Sequence, residues 1–267
     1  MTTLCQLAAV SRASYYRSGL PTVPDAEEIA LHGRLQEIAL EFPAYGYRRI
    51  TAELKRRGCP ANHKRVLRLL RQDNLLCLRR PSFLTTTDSR HRLPIYPNLA
   101  GGYQPSAVNQ LWVADLTYIR LQREFVYLAV LLDVYSRRVV GWALGRTLEA
   151  QLAVGALQIA IEARQPKPGW MHHSDRGVQY ASLSYTDLLR QHGAQISMSR
   201  RGNPYDNAFA ESFMKTLKYE EVHRMEYRDL SEATQSIGHF IEQVYNEKRL
   251  HSALRYHTPA EFEKQHE

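Results

Sequence analysis

The chain has 267 residues, 44% of them hydrophobic, which is enough apolar side chain for a folded core and argues against global disorder. Its net charge of +8 resides wholly in residues 1–100, where 16 Lys and Arg meet 8 Asp and Glu; residues 101–267 hold 19 of each. A basic module ahead of a neutral one points to a polyanionic partner, nucleic acid above all, whereas three widely spaced cysteines, Cys5, Cys59 and Cys77, argue against a disulfide framework or a Cys/His zinc finger.

The first candidate elements are helical. Leu4–Val10 is too short and, with Gln6, too polar to span a membrane, and no basic stretch precedes it as in a signal peptide. Cysteine usage and this segment together suit a cytoplasmic protein. Leu4, Leu7, Ala8 and Val10, followed by a cap at Ser11, predict a small helical pair ending near Gly19. Asp25–Phe42 reads as an amphipathic helix with acids in its first turn, where the helix dipole favours them. Ile50 and Leu54 then share a face, Gly58 ends that helix, and Asn62 caps another with Val66, Leu69 and Leu70 inside. Two short helices with a tight link form a helix-turn-helix unit. Arg65, Arg68 and Arg71 recur every three residues and form a basic stripe suited to phosphates and base edges. A solvated basic face is the plainer alternative.

Residues 81–106 are rich in Pro, Gly and hydroxyl side chains and read as a linker. The expected divisions are a helical, helix-turn-helix-like DNA-binding region over 1–80, this linker, a core domain over 107–225 and a helical extension of that core over 226–267. Beyond the linker, three apolar, β-branched and aromatic runs at 109–121, 124–136 and 137–145 predict an antiparallel meander. A long Ala- and Leu-rich helix follows over 147–165. Next come a strand at "GWMHHSD", a helix at "SLSYTDLLRQHG" and a strand at "AQISMSR". Pro204 is expected to open a long helix reaching His223, and another is expected over 231–249. The fold class is α/β: a mixed sheet with flanking helices, preceded by an all-α helix-turn-helix domain.

Asp115 interrupts the first apolar strand, where a charge is costly unless paired or metal-bound. Asp175 follows the strand "WMHH", and Glu211 falls in the first turns of the helix after Pro204. Three carboxylates form a hard oxygen donor set that suits Mg²⁺ or Mn²⁺ rather than zinc. Two such ions can clamp the attacking and leaving oxygens of a phosphoryl transfer. At helical spacing Asn207, Lys215 and Lys218 would project with Glu211. His172 and His173 are adjacent on a strand and point to opposite faces, so they do not readily share a metal. His173, two residues before Asp175, is a candidate to orient it, with a satisfied core histidine as the default. Asp133 reads as a turn-closing acid, and Trp112 and Trp142 as core. Arg200, Arg201 and Asn203 precede the glutamate helix, where DNA contact is plausible; Arg249 and His251 are weaker candidates of that kind.

Thirty-five residues separate Asp175 from Glu211. With "VSRASYY", "YGYRRI", "WVADLTYI", "LDVYSRRVVGW", "HSDRGVQY", "SRRGNPYDNAFAESF" and "YNEKRLHSALRYHTPAEF", which run along nearly the whole chain, this spacing resembles the DDE transposases and retroviral-type integrases. The resemblance is strongest to transposases of the insertion-sequence-three family. It implies a ribonuclease-H-like core whose catalytic, metal-holding triad is Asp115, Asp175 and Glu211. It further implies that Lys218 contacts the element's terminal DNA, that the protein forms a multimer on paired DNA ends, and that it is a bacterial, nucleoid-associated enzyme. The implied reaction is DNA strand cleavage and strand transfer. A ribonuclease-H-like nuclease and a DNA-binding regulator with an inactive core are the alternatives. The chain departs from retroviral integrases in lacking a His/His/Cys/Cys zinc module at its start. The family also implies an upstream reading-frame product, carrying a further helix-turn-helix and a leucine zipper, as a partner.

Overall fold

Three helices form the described part of the first of two units into which the chain divides, Met1–Cys77 and Leu78–Glu267. The structure, a computed structural model, describes residues 5, 11, 26–73, 75, 76, 93–200 and 204–266. The helical pair expected within 4–19, residues 81–92 of the linker, and Arg201 and Asn203 lie outside the described residues.

In the first unit, α1 (Ala26–Glu41) carries Glu27 and Glu28 in its opening turn, α2 spans Tyr47–Arg56 and α3 spans His63–Gln72. Gly58 takes φ +76° just after α2, a left-handed turn that a side chain would strain. Asn62 Oδ1 accepts the Lys64 N–H at 2.8 Å and so caps α3. Leu35 and Ile38 of α1, Ile50 and Leu54 of α2, and Val66, Leu69 and Leu70 of α3 are all buried. The apolar spacing thus gives the helix-turn-helix that the sequence suggested. The basic stripe is less open than expected, because Glu28 of α1 reaches Arg68 at 3.1 Å and Arg65 at 3.6 Å. Arg71 is exposed.

The second unit is built on one five-stranded sheet ordered β3-β2-β1-β4-β5. The strands are β1 (Leu111–Arg120), β2 (Phe125–Asp133), β3 (Val139–Gly145), β4 (Met171–Ser174) and β5 (Gln195–Met198). The first three form the expected antiparallel meander, while β4 and β5 run parallel to β1. Period-2 alternation sorts β1 into two faces. Leu111, Val113 and Ile119 face one core, with Phe213, Met214 and Leu217 of α7 (Ala208–Glu220). Trp112 and Ala114 face the other, with α4 (Ala150–Arg164) and α6 (Leu183–Gln191). A one-turn helix, α5 (Val178–Ala181), precedes α6. Gly141 lets α4 lie against β3: a Cβ there would stand 2.4 Å from the Ala156 carbonyl oxygen. Trp112 is buried against Trp170, with ring centres 4.5 Å apart, in line with its reading as core. Trp142 is partly buried and donates Nε1–H to Glu242 at 3.2 Å.

Two helix expectations need correction. Pro204–Asn207 is a 3-10 turn, and the α-helix begins only at Ala208. Two side chains there bond other parts of the chain: Asp206 accepts the Arg200 N–H at 2.8 Å, and Asn207 Nδ2 donates to the Ala114 carbonyl at 3.1 Å. The helix also stops at Glu220, short of His223, which lies in a separate 3-10 turn, Val222–Arg224. The helix expected over 231–249 is α8 (Leu230–His239) continued as a π-helical segment, Phe240–Tyr245. There Asn246 N–H bonds the Ile241 carbonyl five residues back, at 3.0 Å. Beyond it the Asn246 side chain pairs with both backbone groups of Val139, each at 3.0 Å, and so binds the C-terminal segment to β3. The chain ends in α9 (Pro259–Lys264), opened by a Thr258–Glu261 capping box. No described helix is long and apolar enough to cross a membrane.

Candidate active site

Strand register brings two of the predicted acids together. Parallel β1 and β4 pair Leu111 with Met171, Trp112 with His172 and Val113 with His173. Two residues past that last pair, on each strand path, come Asp115 and Asp175. Equal offset on neighbouring parallel strands gives the two carboxylates the same sense of projection. Asp115 therefore lies on the Val113 face, the face covered by α7, whose first turn carries Glu211.

The electrostatics agree with this placement. Asp115 is only partly accessible and its pKa is pushed up from 3.8 to about 7. Burial is the main cause, and the Asp175 charge comes next. The Leu116 N–H, which donates to Asp115 Oδ1 at 2.9 Å, acts in the opposite direction; Glu211 raises the value further and Lys218 lowers it. Asp175 accepts the Gly177 N–H at 2.9 Å. A Cβ on Gly177 would stand 3.0 Å from that same Asp175 Oδ1, so the turn after β4 favours the absence of a side chain there.

On α7, Glu211 pairs with exposed Lys215 at 3.5 Å. Lys218 is half-buried, with Nζ 4.6 Å from the centre of the Tyr118 ring. Burial lowers its pKa and Asp115 raises it. Asp175 and Glu211 thus both oppose ionisation of Asp115, which is the chemistry a hard divalent cation would relieve. Among the described residues, no three His, Cys, Asp or Glu side chains converge as a ready-made metal cage.

Other predicted residues fall into place individually. Asn207 does not project with Glu211 as helical spacing suggested, because it precedes α7 and turns inward; there it ties the helix start to β1 beside Asp115. The adjacent histidines do face opposite ways. His173 bonds Ser197 Oγ at 2.8 Å and Ser199 Oγ at 3.0 Å, as a satisfied core histidine does. His172 shares a 2.8 Å hydrogen bond with the Tyr185 hydroxyl. Burial pushes His172 down to about 3 and His173 to about 4, so both are neutral at ordinary pH. Asp133 closes the β2–β3 turn, accepting from Ser136 N–H at 2.9 Å and also from Asn109 N–H at 2.6 Å. Arg176 donates Nε–H to the Ser199 carbonyl at 2.8 Å. Arg200 is exposed and forks onto Asp206. Arg249, expected to be open to DNA, is instead buried and held by Glu220 at 2.7 and 2.9 Å. Sequence reasoning missed one residue at the site, Tyr118 beneath Lys218, which sits in an aromatic-rich run that reads as core.

Comparison with known proteins assigns the lineage. Integrase core domain models match residues 105–204 and 192–259, and an HTH-like domain model matches residues 25–83. The chain is 39% identical over 270 residues to an insertion element IS600 31 kDa protein of Shigella sonnei, covering 99% of both chains. It is 40% identical to the transposase for insertion sequence element IS904 of Lactococcus lactis, over 91% of this chain and 97% of that one. It is 34% identical to the Escherichia coli transposase InsF for insertion sequence IS3A, over 97% and 92% respectively. In fold it is similar to a chain of the simian T-cell lymphotropic virus intasome bound to PP2A regulatory subunit B56 gamma. That match has TM-score 0.51 and 16% identity and covers 86% of this chain and 74% of that one. The mixed sheet is accordingly the ribonuclease-H-like integrase fold, and the chain belongs to the insertion-sequence-three family of transposases.

Proposed function

We propose that Asp115, Asp175 and Glu211 form the catalytic triad of a DNA transposase that cuts strands at the ends of its element and joins them to a target. The observation that carries this reading is the Asp115 carboxyl on the face shared by β1 and α7, raised by burial and by the charges of Asp175 and Glu211. The triad would hold Mg²⁺ or Mn²⁺, most simply as two ions. When bound, the metal supplies charge stabilisation for an attacking and a leaving oxygen in phosphoryl transfer. Asp115, within β1, and Asp175, just past the end of β4, would offer their oxygens. Asp115 gives up the proton that burial retains on it, and the Gly177 N–H keeps Asp175 oriented. Glu211 exchanges its exposed Lys215 partner for the shared site. Asn207 fixes the start of α7 relative to β1. The attacking group is water or a DNA 3′-hydroxyl, so no side chain need form a covalent intermediate.

Lys218 and Lys215 line α7 beside the carboxylates and are the proposed contacts to the element's terminal DNA, with Arg200, Arg201 and Asn203, which precede it in sequence. Arg65, Arg68 and Arg71 of α3 are the proposed contacts of the helix-turn-helix domain. The domain reading remains 1–80, 81–106, 107–225 and 226–267. A homo-multimer assembled on paired ends, joined by the upstream reading-frame product and associated with the nucleoid, completes the proposal. Metal-dependent nicking of a duplex carrying the element's terminal inverted repeats, compared with random duplex, tests it. Selective nicking supports a transposase, equal nicking of both supports a nuclease, and tight binding without nicking supports a regulator.

A further inference from the structure

Arg137 sits in the turn between β2 and β3 with φ +63°, the left-handed region that Gly and Asn occupy more readily. Its N–H donates to the Asp133 carbonyl at 2.9 Å. The side chain reaches α7, where its guanidinium carbon lies 3.9 Å from the centre of the Phe209 ring. Five arginines among the described residues of the second unit are not exposed: Arg137, Arg138, Arg164, Arg176 and Arg249. Arg138 has Glu247 and Glu263, Arg164 has Glu263, Arg249 has Glu220, and Arg176 has the Ser199 carbonyl. The Arg137 guanidinium alone of these five has no hydrogen bond or ion pair, and its Nε is buried without a partner. Asp133, the acid of the same turn, does not fill the gap: its Oδ1 takes the Ser136 N–H and its Oδ2 the Asn109 N–H. Burial lowers the pKa of Arg137, and Tyr245 and Asp133 act in the opposite direction.

A guanidinium drawn out of water without an anion is costly, and arginine does not escape that cost by releasing its proton. The left-handed backbone adds a second cost at the same residue. An oxyanion supplied from outside the chain would offset them. The seat suits one: Phe209 is 38% exposed, and a guanidinium held over a ring keeps its N–H edge for bidentate pairing. The same construction recurs at Lys218, whose Nζ lies 4.6 Å from the centre of the Tyr118 ring. Positions 209 and 218 of α7, at about 100° per residue, fall on roughly opposite sides of the helix. We propose that Arg137 on its Phe209 seat is a phosphate site for the DNA backbone, flanking α7 on the side away from Lys218. The proposal rests on the DNA-joining function proposed above, whose substrate presents phosphates along its whole length. A carboxylate from a second copy of the chain is the competing occupant.

Arg137→Asn removes the guanidinium and suits the left-handed turn, whereas Arg137→Lys keeps the charge and loses the fork. The full-length wild type, both variants and Lys218→Ala are titrated with a duplex carrying the element's end at several salt concentrations. Melting temperature and oligomeric state are measured without DNA. The proposal expects Arg137→Asn to melt no lower than the wild type, to bind the duplex roughly tenfold or more weakly at fixed salt, and to reduce the magnitude of the salt slope by about one. Arg137→Lys should keep the slope and lose part of the affinity. Unchanged affinity and slope in Arg137→Asn overturn the proposal, as does a lowered melting temperature, which would make Arg137 a structural residue. Loss of self-association in Arg137→Asn at an unchanged salt slope assigns the anion to a second copy and overturns it too. If Lys218→Ala lowers the slope and Arg137→Asn does not, only the role of Arg137 fails. If neither variant moves the slope, the DNA contacts proposed for α7 fail with it.

Discussion

Asp115 and Asp175 stand level on adjacent parallel strands, each two residues beyond the paired Val113 and His173. Fifty-nine residues of chain lie between them, and a single register fixes their relationship. The cost is visible at Asp115, whose carboxyl is held near pH 7 by burial and by its neighbour.

That cost sets a pH dependence. Between about pH 4 and 7 the folded protein keeps a proton on Asp115 that the unfolded chain has released. The contribution of this group to stability therefore falls as pH rises through that window and stays low above it. Asp115→Asn should match the wild type in melting temperature near pH 4 and exceed it above pH 7, in the absence of divalent metal. Added Mn²⁺ should stabilise the wild type and leave Asp115→Asn unmoved. Thermal melts across pH with and without metal check both statements.

Lys218 is seated on the Tyr118 ring beside Asp115. If it meets a terminal phosphate, Lys218→Ala should weaken binding to end DNA and reduce the magnitude of the salt slope of that binding by about one. Tyr118→Leu should weaken binding in the same direction but less, because the charge stays while its seat is lost. Titrations of end DNA at several salt concentrations measure both.

In the helix-turn-helix, Glu28 occupies Arg65 and Arg68. Glu28→Gln should release both cations and raise DNA affinity roughly two- to tenfold at low salt, a range set by the modest strength of exposed ion pairs. Arg68→Ala should lower it. Unchanged affinity in both variants would assign this stripe to a solvated face.

How far these sites were legible depends on the distance over which each is specified. Asp115 stood out because a charge inside an apolar strand has few tolerable explanations, and the spacing of Asp175 and Glu211 carried the family pattern. The helix-turn-helix followed from Ile50, Leu54, Val66 and Leu69 at local spacing, with caps at Gly58 and Asn62. The errors concern partners far apart in sequence. Nothing near Arg249 announces that Glu220 will hold it, and nothing near Arg68 announces Glu28. Asn207 reads as one more helical position until Ala114, across the core, offers its carbonyl. The π-helical segment after α8 likewise answers a tertiary demand, the placement of Asn246 on Val139.

Arg249 illustrates the difference between a cation for DNA and one for the fold. Its side chain is 5% exposed and that of Glu220 12%. Arg249→Ala strands the Glu220 carboxylate and should destabilise the protein by about 3–5 kcal/mol. Chemical denaturation measures that loss, and DNA affinity of the fraction still folded should be unchanged.

The central claim is that the three carboxylates perform the chemistry and do not serve binding. Its most direct test is strand transfer of a pre-cut end oligonucleotide into target DNA, in Mg²⁺, by the wild type and by Asp175→Asn with end binding measured alongside. The account predicts joining by the wild type, none detectable with Asp175→Asn, and near-equal end binding by the two. Full strand transfer by Asp175→Asn would contradict it.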